Sequence, residues 1–297
     1  MLIIEKLNQK KDMSYNETCV ADYVLALGKR IEKSSTRSIA EATYTSPATT
    51  IRFCKKLGFR GFDDFKEQYL KEIDYLNQQY GKLDVNFPFL KEDTEITAVN
   101  KLSNLYMDTI QDTLSLLKQD SLKLAVNLLK KSDAIHIFSY GTTLNIAESF
   151  REKMLKIKKP VYISSNLNYQ LYEANALHDG DIAILISYSG ETEKILKIAN
   201  ICKDRKVPMI IISSFGENTL STYSSCKLII STKENLFHNV GDFSTHISVS
   251  FLLDALYSAY FLQNYDQHYQ MKLESVKANE GYRKSNNPII NDSIVEK

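Results

Sequence analysis

The chain has 297 residues, 43% of them hydrophobic, enough for two domains with cores of ordinary size. Its formal net charge of +1 excludes a global field that would draw it to nucleic acid or to a membrane, so any basic surface has to be local. Cys19, Cys54, Cys202 and Cys226 lack the paired spacing of a metal site, the N-terminal apolar run is too short for a signal peptide, and no window approaches the roughly 20 apolar residues of a membrane span; the expectation is a cytoplasmic protein with free thiols, no metal and no cofactor.

Residues 1–77 are expected to be all-α. In "SYNETCVADYVLAL", Ser14 with Glu17 three positions on is a capping box, and Val20, Tyr23, Val24 and Leu27 share one face. "SIAEAT" repeats the cap pattern with Ser38 and Glu41. After a break at "TYT", "SPATTIRFCKKLG" sets Ser46 as N-cap, Pro47 at the first helical position and Gly58 past the end. Two short helices across a tight turn outline a helix-turn-helix, and "FRGFDDFKEQYLKEI" adds an aromatic-anchored helix.

Between Lys29 and Gly61 there are eight Lys or Arg and two Glu, a local charge of +6. On a nearly neutral chain this marks a phosphate-facing patch. A recognition helix offers its N-terminal residues to base edges. Ser46, Thr49, Thr50 and Arg52 are therefore the expected base or near-phosphate contacts. Lys55, Lys56 and Arg60 are expected to touch phosphate only, with Phe53 and Leu57 in the core.

Residues 78–100 read as a linker, with a long helical stretch beginning near Ile96 and running to Lys131. The period then changes. "DAIHIFSY", "PVYISS", "DIAILISYS", "VPMIIISS" and "CKLIIST" are short β-branched runs separated by helix-length segments. Apolar on both faces, they predict a five-stranded parallel sheet in an α/β open sandwich over 101–265. Residues 266–297 form a polar tail expected to fray.

Two strand ends carry chemistry. "SYGTTLNIAESF" places Ser139, Gly141, Thr142 and Thr143 before a helix, and "SYSGETEKIL" places Ser187, Ser189, Gly190 and Thr192 before another. A helix N-terminus offers unpaired N–H groups and a positive dipole end, hydroxyls donate to phosphate oxygens, and glycine lets the backbone approach closely. One such turn is explained by capping alone; two in one sheet point to an anion site. Neither carries the three glycines of a dinucleotide fingerprint or the Gly-Lys-Ser/Thr of a P-loop.

Residues 134–262 resemble the sugar isomerase (SIS) domain, a phosphosugar-binding fold of flavodoxin-like strand order, on the Ser-x-Ser-Gly-x-Thr pattern from Ser187 to Thr192. Here Ser139 stands where glycine is usual and Thr143 where serine is usual; threonine keeps the hydroxyl. "GDFSTHISVSFLLDAL" resembles the domain's last loop and helix, and would bring Ser244, Thr245 and His246 to the sugar end. "SIAEATYTSPATTIRFCKKLGFRGFDDFK" resembles the helix-turn-helix of the RpiR/MurR family of transcriptional regulators, with Tyr44 where glycine is usual.

That family joins this domain to a C-terminal SIS domain. The resemblance thus implies a non-enzymatic regulator of carbohydrate metabolism genes. Its partners would be operator DNA and a phosphosugar effector, and its assembly a homodimer or homotetramer. The interface expected for that assembly is the helical stretch with Leu102, Leu105, Ile110, Leu114 and Leu117, together with the last helix at residues 251–262. The other reading is a sugar-phosphate isomerase with a helical extension, for which Glu148, Glu191, His178 and His246 are the acid–base candidates.

Overall fold

The structure, a computed structural model, describes residues 3–77, 83–283 and 286–287. Helices α1 (Ile3–Gln9), α2 (Tyr15–Leu27), α3 (Thr36–Ala42), α4 (Pro47–Lys56) and α5 (Phe62–Asn77) form the N-terminal unit, with a 3-10 turn at Gly28–Lys33. Its core joins Val20 and Val24 of α2, Ile39 of α3, Phe53 of α4 and an aromatic ladder. In that ladder Phe59 meets Phe65 edge-on at 5.3 Å and Phe65 stacks on Tyr69 at 5.6 Å. The Ser14–Glu17 capping box forms as expected. The cap of α3 does not: Ser35 caps it, bonding Ser38 reciprocally, so the helix starts three residues earlier than the Ser38–Glu41 spacing implied. Glu72 of α5, almost fully buried, accepts from the Ile3 and Ile4 N–H groups at 2.6 and 2.7 Å and so caps α1 from a distant element.

Of the expected linker, residues 78–82 lie outside the described residues. The rest is not a free tether. Asn86 bonds Val240 and Asn235, Phe87 meets His238 at 5.0 Å and Phe89 meets Phe243 at 6.3 Å, which fixes the segment to the second unit. Thr94 then caps α6 (Glu95–Leu116), which takes the last residues assigned to the linker. The chain turns extended at Leu117, dividing the expected single helix into α6 and α7 (Gln119–Lys131).

Strands β1 (Ile135–Phe138), β2 (Val161–Ile163), β3 (Ile182–Ser187), β4 (Met209–Ser214) and β5 (Lys227–Ile230) build an all-parallel sheet in the order β2-β1-β3-β4-β5. Helices α7, α8 (Thr143–Lys156) and α11 (Phe243–Phe261) cover the face carrying Ile182, Ile184 and Ile186. Helices α9 (Gln170–Asn175) and α10 (Glu193–Asp204) cover the face carrying Ala183 and Leu185. The central strand β3 is buried at every position and apolar up to Ser187, β4 is buried through Ser213, and the edge strands β2 and β5 carry Tyr162 and Lys227 at less buried positions.

The polar tail begins as a helix, α12 (Tyr265–Glu280), rather than fraying. Its first turn is anchored by aromatics, with Tyr260 stacked on His268 at 5.3 Å and Phe261 edge-on to Tyr265 at 5.3 Å. Glu274 and Glu280 pair with Lys158 and Lys156 at the end of α8. Residues 284–285 and 288–297 lie outside the described residues. Among the described residues no helix is long and apolar enough to cross a membrane.

Candidate functional site

In this strand order the chain leaves β1 towards β2 on one side and resumes at β3 on the other, so the switch point is the crevice between β1 and β3. The two hydroxyl-rich turns follow these two strands and lead into α8 and α10. The structure thus brings both sequence motifs to one crevice.

Their hydroxyls do not share one role. Ser139 is fully buried; it bonds the Thr143 hydroxyl and reaches the Ile186 carbonyl at 3.4 Å, while Thr143 Oγ1 donates to the Tyr140 carbonyl at 2.9 Å. Both were expected to face ligand, and both instead brace the first turn. Ser187 Oγ, also buried, accepts from the Gly190 N–H at 3.2 Å and shares a bond with Thr192 Oγ1 at 2.9 Å. Ser189 Oγ accepts from the Glu191 N–H at 3.1 Å. Thr142 is exposed at the α8 N-terminus with no capping bond.

Glycine is needed at position 190 for two reasons. Its φ is +67°, and an added Cβ would fall 2.1 Å from Asn218 Oδ1. Asn218 belongs to a loop clamped onto the second turn: the Leu220 N–H donates to the Gly190 carbonyl at 3.0 Å and the Thr219 N–H to Glu191 Oε1 at 2.8 Å. Gly141, at φ +68°, has open space over it.

Sequence reasoning missed Gln170 and Lys194. Buried Gln170 donates to the Ser139 and Ser164 carbonyls, both at 3.1 Å, tying the first turn to the loop after β2. Lys194 Nζ sits 5.9 Å from the Tyr140 ring centroid, across the crevice. The motif pattern ends at Thr192, so neither residue falls inside it.

The last loop differs from expectation. Ser244 is buried and bonds Thr109 of α6, and the Ser244 and Thr245 N–H groups donate to Glu234. Ser244 thus joins α11 to α6, while Thr245 is tied to the loop before α11; His246 is exposed in the first turn of α11. Of the acid–base candidates, His178 precedes β3 and so lies at the amino end of the sheet, away from the crevice. Glu148 pairs with Arg151 at 3.3 Å and Glu191 is held by the loop N–H. A groove of about 600 Å³ opens elsewhere, between α8, α11 and α12, lined by Tyr257, Phe261, Tyr265 and Tyr269 with Lys153 and Lys272 at its edge.

On the N-terminal unit, Ser46 caps α4 through the Thr49 N–H at 3.1 Å. Thr49 and Thr50, expected at base edges, are buried, Thr50 to 1% exposure, and the Thr50 hydroxyl has no hydrogen-bond partner among the described residues. They stand four and three residues before Phe53 and so share its inward face. The outward face presents Ala48, Ile51, Arg52 and Lys55.

Lys56, expected on phosphate, is instead bonded to Glu17 Oε2 at 2.8 Å and to the Asp12 carbonyl at 2.5 Å. The Lys56 bond, more than any other influence, holds the Glu17 carboxyl below its ordinary range. The Arg60 N–H donates to Asp64 Oδ2 at 2.9 Å, but its guanidinium meets Asp64 only at 3.5 Å and is 90% exposed. In the turn, Tyr44 keeps the left-handed conformation of the glycine it replaces, at φ +53° and 97% exposed, a strain of about 1 kcal/mol or more.

The family model of the helix-turn-helix domain, rpiR family, matches residues 1–75, and that of the SIS domain matches residues 128–259. The uncharacterized HTH-type transcriptional regulator YbbH of Bacillus subtilis is 28% identical over 268 residues, covering 90% of this chain and 92% of its own. The HTH-type transcriptional regulator HexR of Escherichia coli is 26% identical over 217 residues, 73% of each chain. Among solved structures, the Vibrio vulnificus NanR protein complexed with ManNAc-6P superposes with a TM-score of 0.61 at 19% identity, covering 95% of this chain and 99% of that one.

Proposed function

The chain belongs to the RpiR family of helix-turn-helix regulators with a C-terminal SIS domain, and from that premise we propose that it is a cytoplasmic transcriptional regulator of carbohydrate metabolism genes whose operator binding responds to a phosphosugar. The observation that carries this reading is the pair of hydroxyl turns meeting at one crevice, on a chain that also presents an outward row of Arg52 and Lys55 on α4. Ser189, Thr142 and the Ser187–Thr192 pair, with helix-end N–H groups, form the phosphoryl seat. Arg52 reads base edges, and Lys55 and Arg60 hold phosphates.

A non-enzymatic role fits the same geometry. Isomerisation requires both a base and an acid on the sugar carbon chain, whereas His178 lies at the wrong end of the sheet and Glu148 and Glu191 are engaged elsewhere, which leaves His246 alone of the four.

An effector acts only by unequal affinity for the DNA-competent and incompetent states. A physical route exists in the loop clamped on Gly190. Its Glu217 pairs at 2.9 Å with Lys6 of α1, whose ammonium also approaches the Leu57 carbonyl at the end of α4. As a surface pair it supplies at most about 1 kcal/mol, or fivefold, of coupling.

Half-site recognition requires two-fold symmetry, and the protein is proposed to be a dimer or tetramer. Leu105, expected at the interface, is buried within the chain. Leu114, also expected there, is exposed, and with Ile96, Val99 and Met107 of α6 and the aromatic groove beside α11 it forms the proposed interface.

The test is fluorescence anisotropy with DNA from the protein's own upstream region, titrated with a panel of sugar phosphates. One sugar phosphate should change operator affinity in the wild type and not in Ser189→Ala, whose operator binding stays intact. Turnover of any panel member in a coupled isomerase assay would favour the enzyme reading.

A further inference from the structure

We propose that Lys194 is the cation of the effector site, moving from the face of Tyr140 onto the phosphoryl group of a bound sugar monophosphate. The proposal rests on the phosphosugar reading and names the residue that supplies its missing charge. The two motifs hold hydroxyls and amides but no basic side chain, while Glu191 and Glu193 stand beside the second turn. A phosphate monoester dianion placed there finds no cation within the motifs themselves.

Two lysines lie in the first half of α10. Lys197 is taken by Glu193 at 2.6 Å. Lys194 has no carboxylate partner among the described residues, and its ammonium lies 5.9 Å from the Tyr140 ring centroid. Tyr140 belongs to the turn after β1 and Lys194 to the helix after β3, so this contact spans the crevice where the two turns meet.

Its position breaks a local rule. Lys194 is the second residue of α10, where the helix dipole opposes a positive charge. With no ion pair to offset this, the placement serves no evident folding purpose, and such departures gather at functional sites. Tyr140 is 50% exposed, so the cation–π contact is wet and weak enough to be exchanged for an anion. A dianion bound between the turns satisfies the ammonium, the α10 dipole and the Ser189 hydroxyl at once. Phosphorylated sugars are thereby separated from neutral ones.

The test is a ³¹P NMR titration of the intact protein with inorganic phosphate, at several salt concentrations, using the wild type, Lys194→Met, Lys194→Arg and Ser189→Ala. Lys194→Met should weaken phosphate binding about tenfold, the loss of one charge-assisted hydrogen bond. It should also flatten the dependence on salt without lowering the unfolding midpoint. Lys194→Arg should restore most of the affinity and the salt dependence, which a merely structural role would not do. If Lys194→Met binds phosphate like the wild type while Ser189→Ala does not, Lys194 has no part in the site and the proposal is overturned. If neither substitution weakens binding, or the wild type binds no phosphate, the cradle itself is wrong and the proposal falls with it.

Discussion

Replacing Thr50 by valine separates a core role from a DNA-reading role at one position. Thr50 is 1% exposed on the inward face of α4, and its hydroxyl has no hydrogen-bond partner among the described residues. Burying an unsatisfied hydroxyl costs about 1–3 kcal/mol, and valine keeps the shape while removing the group. Thr50→Val should therefore stabilise the N-terminal unit by about 1–2 kcal/mol, slowing hydrogen exchange about 5- to 30-fold in peptides from α4 and α5 of the intact protein.

Thr49→Val is the control. Its hydroxyl pairs with the Ser46 hydroxyl at 3.0 Å, so this change should destabilise by about 1 kcal/mol. Operator affinity, measured by anisotropy, should be unchanged in Thr50→Val. Faster exchange, or a tenfold loss of operator affinity with normal exchange, would refute the reasoning and return Thr50 to the DNA-facing surface.

Arg52→Ala should cost about 1–3 kcal/mol on the operator and less on random DNA, and Lys55→Ala should lower the salt slope on all DNA by about 0.9; Lys56→Ala should spare that slope because the side chain is committed to Glu17. Gly190→Ala should abolish effector binding in calorimetry by expelling Asn218, whereas Gly141→Ala, with open space above it, should cost only the backbone strain of about 1 kcal/mol.

Burial pushes the Glu72 carboxyl above its ordinary value of 4.5, so the folded protein keeps this proton at a pH where the unfolded chain has lost it. Stability of the N-terminal unit should then fall as pH rises from 4.5 through the raised value. All five histidines lie beyond residue 135, so no imidazole of that unit confuses the exchange measurement, and Glu72→Gln should remove the trend. Burial raises the Cys54 and Cys202 thiols to about 12 and Cys226 to about 11. A thiol reagent at neutral pH should accordingly modify only Cys19 in the folded protein, and rapid reaction of a second cysteine would contradict the buried assignments.

The sequence alone determined most of the elements and the chemistry offered at their ends, but not the break between α6 and α7 or the helix α12, which is anchored by tertiary contacts. Five mainly apolar runs with turn residues between them became the five strands, because a central strand covered on both faces has to be mainly apolar. Ser14 and Ser46 were legible as caps because their partners lie three residues away. The inward turn of Thr49 and Thr50 was also legible, since assigning Phe53 to the core fixes the phase of α4. It was passed over because a threonine near a helix start reads equally well as a polar contact.

Tertiary structure decided what lay far apart in the chain. Lys56 meets Glu17 across 39 residues, Lys6 meets Glu217 across 211, and Ser139 reaches Ile186 across 47. No local propensity encodes such pairings; they follow from strand order and from which helix faces pack together. The crevice exists because β1 and β3 are neighbours in the sheet, and only that adjacency brings Lys194 over Tyr140.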